Sequence, residues 1–305
     1  MTLSTEVMVY LEYCRFRKEL DEKTLKAYRI DLRQYIEACG DAAADRKRME
    51  RYVTELHKKF KQKTVKRKIA SIKAFYNYLE EMDLIAETPF RKIKVKFKET
   101  VLLPRIIPRE DIERFLNGIY ACLGKERASQ EKFVLRDICV VEMLFATGAR
   151  VYEISNIRMD CVSLDSGRIR IMGKGGKERY VQIVEEDVLK LLRRYYQANE
   201  DAIQKSGYFF VNQRGERFTE QSVRLMLQKY AKQAGIEKPI TPHMFRHSLA
   251  TYLIEEGADV SCIQQILGHS SIKTTQIYIH VAAKTQADVL KNYHPRKRMN
   301  ISGVA

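Results

Sequence analysis

No stretch of this sequence of 305 residues is apolar over the length that a membrane span requires. A secretory leader is not expected either, since Glu6, Glu12 and Arg15 interrupt the N-terminal segment where a signal peptide needs an apolar core. These absences exclude an integral membrane protein and predict a cytoplasmic one without a membrane partner.

Paired cysteines are also missing. The six cysteines, at positions 14, 39, 122, 139, 161 and 262, include no CxxC pair, and no histidine stands at zinc-ligand spacing from them. Thiols of a cytosolic chain stay reduced. We therefore expect free cysteines and no metal site.

A nucleotide-binding loop is absent as well. Gly173-Lys174 contains the Gly-Lys pair of such loops, but five residues rather than four separate Gly167 from Gly173. Gly175 then stands where the loop needs Ser or Thr. An ATP site is not expected, and no cofactor is predicted.

Negative charge is scarce, with 39 acidic against 55 basic residues and a net charge of +16. This balance favours a polyanionic partner, with nucleic acid ahead of an anionic membrane surface. The run from residue 58 to 73 contains eight basic residues and no acidic one. A solvated helix face would give the same pattern, but we predict phosphate contacts here. The predicted contacts are Lys58, Lys59, Lys61, Lys63, Lys66, Arg67, Lys68 and Lys73.

Apolar periodicity predicts that the first third of the chain is helical. Segments at about 4–16, 22–37, 46–60 and 64–81 have a helical period, and Thr64 could cap the fourth. A further segment starts at about residue 89, and its residues 91–98 alternate between basic and apolar. We interpret it as a basic linker, with an edge strand as the alternative. The predicted domains are 1–98 and 106–305.

The second domain mixes helices with one β-hairpin. Helices are predicted at about 131–145, 186–198 and 220–235. Residues 168–172 and 180–184 alternate with a period of two around a glycine-rich turn, which is typical of a hairpin. The fold class is therefore mainly α with a small β-sheet (α+β).

Residues 241–280 predict three short helices. Thr241 can cap the first, whose first position is Pro242, where a missing N–H has no consequence. Gly257 and Gly268 supply the left-handed residues that end the first and second helices. The third helix begins after Ser271.

The same segment concentrates reactive side chains. His243 and Arg246 stand three apart and share a helix face, His269 follows a helix-ending glycine, and Tyr278 lies nine residues further on. A guanidinium can bind two phosphate oxygens, imidazoles move protons and a phenol can attack phosphorus, so this set suits a phosphodiester. A lone histidine or tyrosine on a helix is more often structural than catalytic. We give the structural interpretation to three further residues: His247, Tyr252 and His280.

The sequences HMFRH, LGHSS and TTQIYIH resemble those of the tyrosine recombinases, also called phage integrases, and most closely the Xer-type branch. The resemblance implies that His243, Arg246, His269 and Tyr278 are catalytic, with Tyr278 as the nucleophile. It also implies an arginine and a lysine upstream. ATGARVYE matches the family motif ATG-x-R-x-x-E at Arg150, with a salt bridge to the motif's glutamate as the alternative role.

The upstream lysine falls on the hairpin turn. The family's hairpin lysine, a general acid, matches Lys174 rather than Lys177, which we predict to contact DNA. Phosphate contact by Lys174, Lys177 and Arg179 alone is the alternative. The order of the first four helices, with Asp31 and Leu32 on the second, resembles the SAM-like core-binding domain that precedes the catalytic domain in this family.

The resemblance implies a site-specific recombinase that cuts and rejoins DNA through a 3′-phosphotyrosyl intermediate without metal or ATP. Its partner would be double-stranded DNA at a specific recombination site, bound by a homo- or hetero-tetramer. His243 would be the general base toward Tyr278. Two alternatives remain: a helix-turn-helix DNA-binding protein without catalysis, whose outline SCIQQILGHSSIKTTQIYI also fits, and a type IB topoisomerase.

Overall fold

The computed structural model describes residues 2–42, 45–91, 93, 95, 97, 104–125, 128–173, 176, 178–268 and 275–278. The chain divides into two compact units, Met1–Val101 and Leu102–Ala305. Over the described ranges, none of the helices combines the length and the apolar character that crossing a bilayer requires.

The first unit is built from helices α1 (Leu3–Phe16), α2 (Glu22–Cys39), α3 (Arg46–Lys59) and α4 (Gln62–Glu81). Asp21 and Asp45 start α2 and α3, because each carboxylate accepts a backbone N–H from the first turn. The apolar stripes of the four helices meet in one core, where the hydroxyls of Tyr35 and Tyr76 lie 2.6 Å apart. The predicted helical first domain is confirmed.

Helix α4 begins two residues before its predicted start. Thr64 does not cap it: the N–H groups of Thr64 and Val65 both donate to the Lys61 carbonyl, at 2.8 and 3.1 Å. Lys61 holds the N-cap position without a side-chain cap bond. Since Gln and Lys are good helix formers, the residues before Thr64 join the first turn.

Lys68 is an exception within the basic run. It is 3% exposed, and its Nζ donates to Asp31 Oδ1 at 3.0 Å and also contacts Gln34. The same buried carboxylate accepts the Ser71 hydroxyl at 3.0 Å and pairs with Arg67. The amine of Lys68 is therefore part of a buried ion pair, and the predicted phosphate contact by Lys68 is wrong. Moving the amine to a phosphate would leave the Asp31 carboxylate buried with less compensation. The other seven basic residues of the run are exposed.

The second unit contains the helices α5 (Arg109–Tyr120), α6 (Ala128–Thr147), α7 (Val151–Ser155), α8 (Glu186–Ser206), α9 (Glu220–Gln233), α10 (Pro242–Glu255) and α11 (Val260–Leu267). Helix α6 is its centre. Residues 138–144 of α6 are buried apart from Glu142, which is half-buried, and α6 packs against α5, α8, α9 and α10. Helix α8 runs eight residues beyond its predicted end, through a kink at Asn199.

The predicted hairpin is present as antiparallel strands β1 (Arg168–Met172) and β2 (Glu178–Gln182). Ile169 and Ile171 of β1 point into the core, with Val181 opposite Ile169. Strand β2 begins two residues earlier than predicted, so that Arg179 pairs with Ile171 inside the strand. That position directs Arg179 toward the ends of α7 and α11.

Helices α10 and α11 match the predicted boundaries closely. Pro242 is the first residue of α10, Gly257 has φ +91° and Gly268 has φ +63°. Thr241 holds the N-cap position, but its side chain makes no capping bond. Of the third predicted helix, the structure describes residues 275–278, and Thr275 and Gln276 are helical.

Candidate active site

Arg246 is anchored at the centre of the site by two carbonyl groups. Its Nη1 donates to Gly148 O and its Nη2 to Leu267 O, both at 2.7 Å, and the residue is 3% exposed. Burial, together with the positive charge of Arg150, lowers the pKa of Arg246 to about 10. The guanidinium therefore remains charged at neutral pH. Because these bonds use two of its five N–H groups, it keeps donors for an anion.

Two glycines let these chain ends approach Arg246. Gly148 has φ +58°, and a Cβ there would lie 2.6 Å from Leu267 Cδ2. Gly268 has φ +63°, and a Cβ there would lie 2.8 Å from Arg179 Cδ. A side chain at either position would meet both an unfavourable backbone conformation and a steric clash. The turn after α6 and the end of α11 can therefore converge on one guanidinium.

Glu153 joins Arg150 to Arg179. Its carboxylate accepts the backbone N–H of Arg150 at 2.8 Å and Arg150 Nη1 at 2.9 Å. Arg179 donates to the same carboxylate through Nη1 and Nη2, at 3.0 and 2.8 Å, and its Nε donates to Ile266 O at 2.9 Å. Strand β2 is thus connected to helix α7 through the Glu153 carboxylate and to the end of α11 through the Arg179 guanidinium.

The charges of this network leave an excess of positive charge. Burial raises the pKa of Glu153, but the hydrogen bonds and charges of Arg179 and Arg150 outweigh it and hold the pKa below its usual value. Glu153 is therefore ionised at neutral pH. With Arg246, three guanidinium groups face one carboxylate, so the site attracts an anion such as a phosphate.

Tyr278 lies beside these cations. Its ring packs with Ala250, Ile263 and Leu267, and the residue is 2% exposed. Its hydroxyl lies 2.8 Å from His247 Nδ1. Burial raises the pKa of the phenol, and the positive charges of Arg246 and Arg150 oppose that rise. The phenol is therefore protonated at neutral pH in this arrangement.

His243 lies on the exposed side of α10, one turn before His247. The protein around its ring lowers its pKa, and the charges of Arg246, Arg150 and Arg224 lower it further. His243 is therefore neutral near pH 7 and able to accept a proton.

The structure brings together Arg150, His243, Arg246 and Tyr278 from three separate parts of the second unit. Lys174, Lys177 and His269 lie outside the described residues. Two members of the site were not assigned to it from the sequence: Arg179, considered only as a phosphate contact, and His247, interpreted as structural. The sequence does contain a signal for His247, which follows Arg246 directly and stands four residues from His243, on the same face.

Comparison with known protein families identifies the family of this chain. The family model described as "Phage integrase family" matches residues 110–285, and that described as "Phage integrase, N-terminal SAM-like domain" matches residues 7–82. The chain belongs to the phage integrase family. This confirms the predicted tyrosine recombinase family and both parts of the predicted fold.

Individual tyrosine recombinases agree over nearly the whole chain. A tyrosine recombinase of Agathobacter rectalis is 46% identical over 97% of this chain and 98% of its own length. Tyrosine recombinase XerD of Listeria innocua is 34% identical over 94% of this chain and 97% of its own. The solved structure of the XerH recombinase bound to a palindromic difH substrate has the same fold, with a TM-score of 0.74 at 21% identity over 96% of this chain and 85% of that one.

The family and these relatives confirm that the chain is a site-specific tyrosine recombinase, an enzyme of DNA cleavage and rejoining. They do not favour the two alternatives, a helix-turn-helix protein without catalysis and a type IB topoisomerase.

Proposed function

We propose that this recombinase cuts and rejoins DNA strands through a 3′-phosphotyrosyl intermediate on Tyr278. The observation that carries the proposal is the packing of one phenol with Leu267, whose carbonyl accepts from Arg246 at 2.7 Å. The charges of Arg246 and Arg150 both act on this phenol. A phenol is a weak nucleophile at neutral pH, and a cationic surrounding stabilises the negative charge that develops during attack.

Each residue has a separate role in the proposed reaction. Arg150 and Arg246 bind the non-bridging oxygens, where fixed positive charge stabilises the transition state most. His243 accepts the proton of the attacking phenol. His269 donates a hydrogen bond to the phosphate, and Lys174 protonates the departing 5′ oxygen.

The bonds made and broken balance without a cofactor. The oxygen of Tyr278 forms a bond to phosphorus while the bond from phosphorus to the 5′ oxygen breaks, giving a 3′-phosphotyrosyl link and a free 5′-hydroxyl. In the second transfer a 5′-hydroxyl of another strand attacks the link and releases the phenol. Since one phosphodiester is replaced by another, neither ATP nor an oxidant is needed.

Exchange between two duplexes sets the number of active sites. Two duplexes contain four strands, and each strand must be attached to a tyrosine once. We therefore propose that a homo- or hetero-tetramer acts on double-stranded DNA at a specific site. Because the proposed substrate is DNA, we also propose that the enzyme acts in the cytoplasm.

The exposed basic residues of the first unit supply the proposed DNA surface. On α4, the exposed Lys66 and Lys73 stand seven residues apart, which is two helical turns, so they form one stripe, and the exposed Arg67 borders it. Arg67 also pairs with the buried Asp31 through Nη1, so the end of its side chain is fixed while its other N–H groups can still donate. Lys58, Lys59, Lys61 and Lys63 extend this surface around the junction of α3 and α4. We propose that these side chains contact phosphates, with Lys177 adding a contact from the catalytic unit.

Neutralising this stripe is expected to change the salt dependence of binding. Each phosphate contact contributes about −0.9 to the slope of log K against log salt concentration. Lys66→Gln and Lys73→Gln should each make the slope less negative by about 1. Fluorescence anisotropy with a labelled duplex at several salt concentrations measures it. The control is Lys205→Gln, an exposed lysine near the end of α8, and equal slopes in all variants would contradict a contact at α4.

Covalent trapping tests the proposed chemistry. The wild-type protein is incubated with a pool of nicked duplexes of randomised sequence, so that the short fragment released by cleavage diffuses away and religation is blocked. After denaturation in SDS, protein with attached DNA is recovered, the DNA is sequenced and the modified peptide is identified by mass spectrometry. We expect a related set of sequences linked through a 3′ phosphate to Tyr278. Absence of an adduct, or an adduct on another residue, would contradict the proposal.

A further inference from the structure

His247 contacts the reacting oxygen of the proposed nucleophile. Its Nδ1 lies 2.8 Å from the Tyr278 hydroxyl, and the two rings are tilted by 48° with centroids 5.5 Å apart. The contact joins α10 to a segment 31 residues later. It therefore depends on the tertiary fold and not on helix geometry alone.

The protonation of both groups sets the direction of this hydrogen bond. Burial, followed by the charges of His243 and Arg246, lowers the pKa of His247 to about 4. The imidazole is therefore neutral near pH 7 and can offer a nitrogen lone pair. The phenol of Tyr278 keeps its proton because burial raises its pKa. The phenol O–H therefore donates and His247 Nδ1 accepts.

The surroundings of Tyr278 show what this bond determines. The apolar contacts with Ala250, Ile263 and Leu267 hold the ring, and the contact with His247 Nδ1 at 2.8 Å holds the oxygen. Arg246 and Arg150 act on the phenol as positive charges and cannot accept its proton. The acceptor on His247 thus fixes where the O–H points while the oxygen stays near the cations.

We infer that His247 is a positioning residue that holds the Tyr278 hydroxyl in register with the arginine pair by accepting its hydrogen bond at Nδ1. This inference rests on the proposed function, in which Tyr278 is the nucleophile. It leaves proton acceptance during attack to His243, which is solvent-exposed and one turn away. Because a displacement of about 1 Å can slow a reaction by about a hundredfold, loss of the acceptor should slow cleavage by about 10- to 100-fold.

Two substitutions separate positioning from proton transfer. His247→Asn keeps an acceptor, because the amide oxygen of Asn occupies the place of Nδ1 next to Cγ, yet it cannot take up a proton. His247→Phe keeps a ring of similar size and has no acceptor. Tyr252→Phe is the matched control: it lies on the same helix and loses a hydrogen bond to the Ile107 carbonyl, outside the site.

Single-turnover kinetics give the first measurement. The rate of covalent complex formation is measured at saturating protein on a sequence recovered from the nicked pool, together with the Kd for the same duplex. We expect His247→Phe to be slowed by about 10- to 100-fold and His247→Asn by less than about threefold, with unchanged Kd values. If His247→Phe cleaves at the wild-type rate, the inference is overturned. If His247→Phe and His247→Asn are slowed equally, it is also overturned, and proton transfer is assigned to His247.

Fluorine NMR tests the hydrogen bond without catalysis. In protein labelled with 3-fluorotyrosine, the Tyr278 resonance is the one that is missing from Tyr278→Phe. We expect it to shift in His247→Phe and to stay near its wild-type position in His247→Asn and Tyr252→Phe. A resonance unmoved in His247→Phe would overturn the contact. If the wild type forms no covalent complex, the proposed function fails, and this spectrum still decides the hydrogen bond.

Discussion

Tyr278→Phe is expected to abolish covalent attachment of DNA while leaving DNA affinity within about twofold. The phenyl ring fits the same apolar surroundings of Ala250, Ile263 and Leu267, so the fold and the DNA surface remain. The substitution removes the attacking oxygen and its bond to His247. Loss of that bond should lower the free energy of unfolding by about 1 kcal/mol.

Gel separation in SDS measures attachment, and anisotropy measures affinity for the same duplex. Tyr196→Phe is the control, because it removes a phenol bonded to Glu200 on α8 and should cleave like the wild type. If binding disappears together with attachment, Tyr278 has a structural role and the proposed nucleophile is wrong.

Glu153→Gln is expected to reduce both stability and cleavage. The substitution preserves size but removes the negative charge between Arg150 and Arg179. Breaking a buried ion pair from one side lowers the free energy of unfolding by about 3–5 kcal/mol, and we expect the low end because Arg150 is partly exposed. Cleavage should slow by on the order of a hundredfold, since Arg150 loses the partner that orients it.

Urea unfolding and single-turnover cleavage measure these two effects. The control is Glu131→Gln, which breaks a partly exposed ion pair with Arg194 and should change stability by less than about 1 kcal/mol. Wild-type stability and cleavage in Glu153→Gln would show that the network does not organise the site.

The effect of Glu153 also depends on pH in a fixed direction. Because its pKa is lower in the folded protein, its contribution to stability is fully present above the unfolded value, about 4.3, and is lost as the pH falls through the folded value. The difference in unfolding free energy between the wild type and Glu153→Gln should therefore narrow on acidification. A difference that widens at low pH would contradict an ionised Glu153.

Local patterns in the sequence predicted most elements of the fold. The helical period, the proline at position 242 and the glycines at 257 and 268 are signals that act on neighbouring residues. The structure agrees with the helix start and the helix ends that they predict. The errors occur where the local pattern is ambiguous. Helix α8 continues past residue 198 because its apolar face resumes after the kink at Asn199, which no proline or glycine marks.

The errors in individual side chains have a different origin, since they depend on partners distant in sequence. Lys68 has the charge of its neighbours in the basic run, but its partner Asp31 precedes it by 37 residues. Arg179 looks like a surface cation until it is paired with Glu153, 26 residues earlier. Residue type and spacing singled out the candidate reactive groups, whereas their supporting contacts required the tertiary structure.

The carbonyl anchors of Arg246 connect activity to completion of folding. Gly148 lies 98 residues before the arginine and Leu267 lies 21 after it. A chain that has not yet docked the end of α11 would lack the Leu267 support, and its guanidinium would be held by Gly148 alone. We expect such a partly synthesised or misfolded polypeptide to cleave DNA poorly, even if its proposed basic surface can bind phosphates. Cleavage is therefore expected to appear only once α11 has packed against α10.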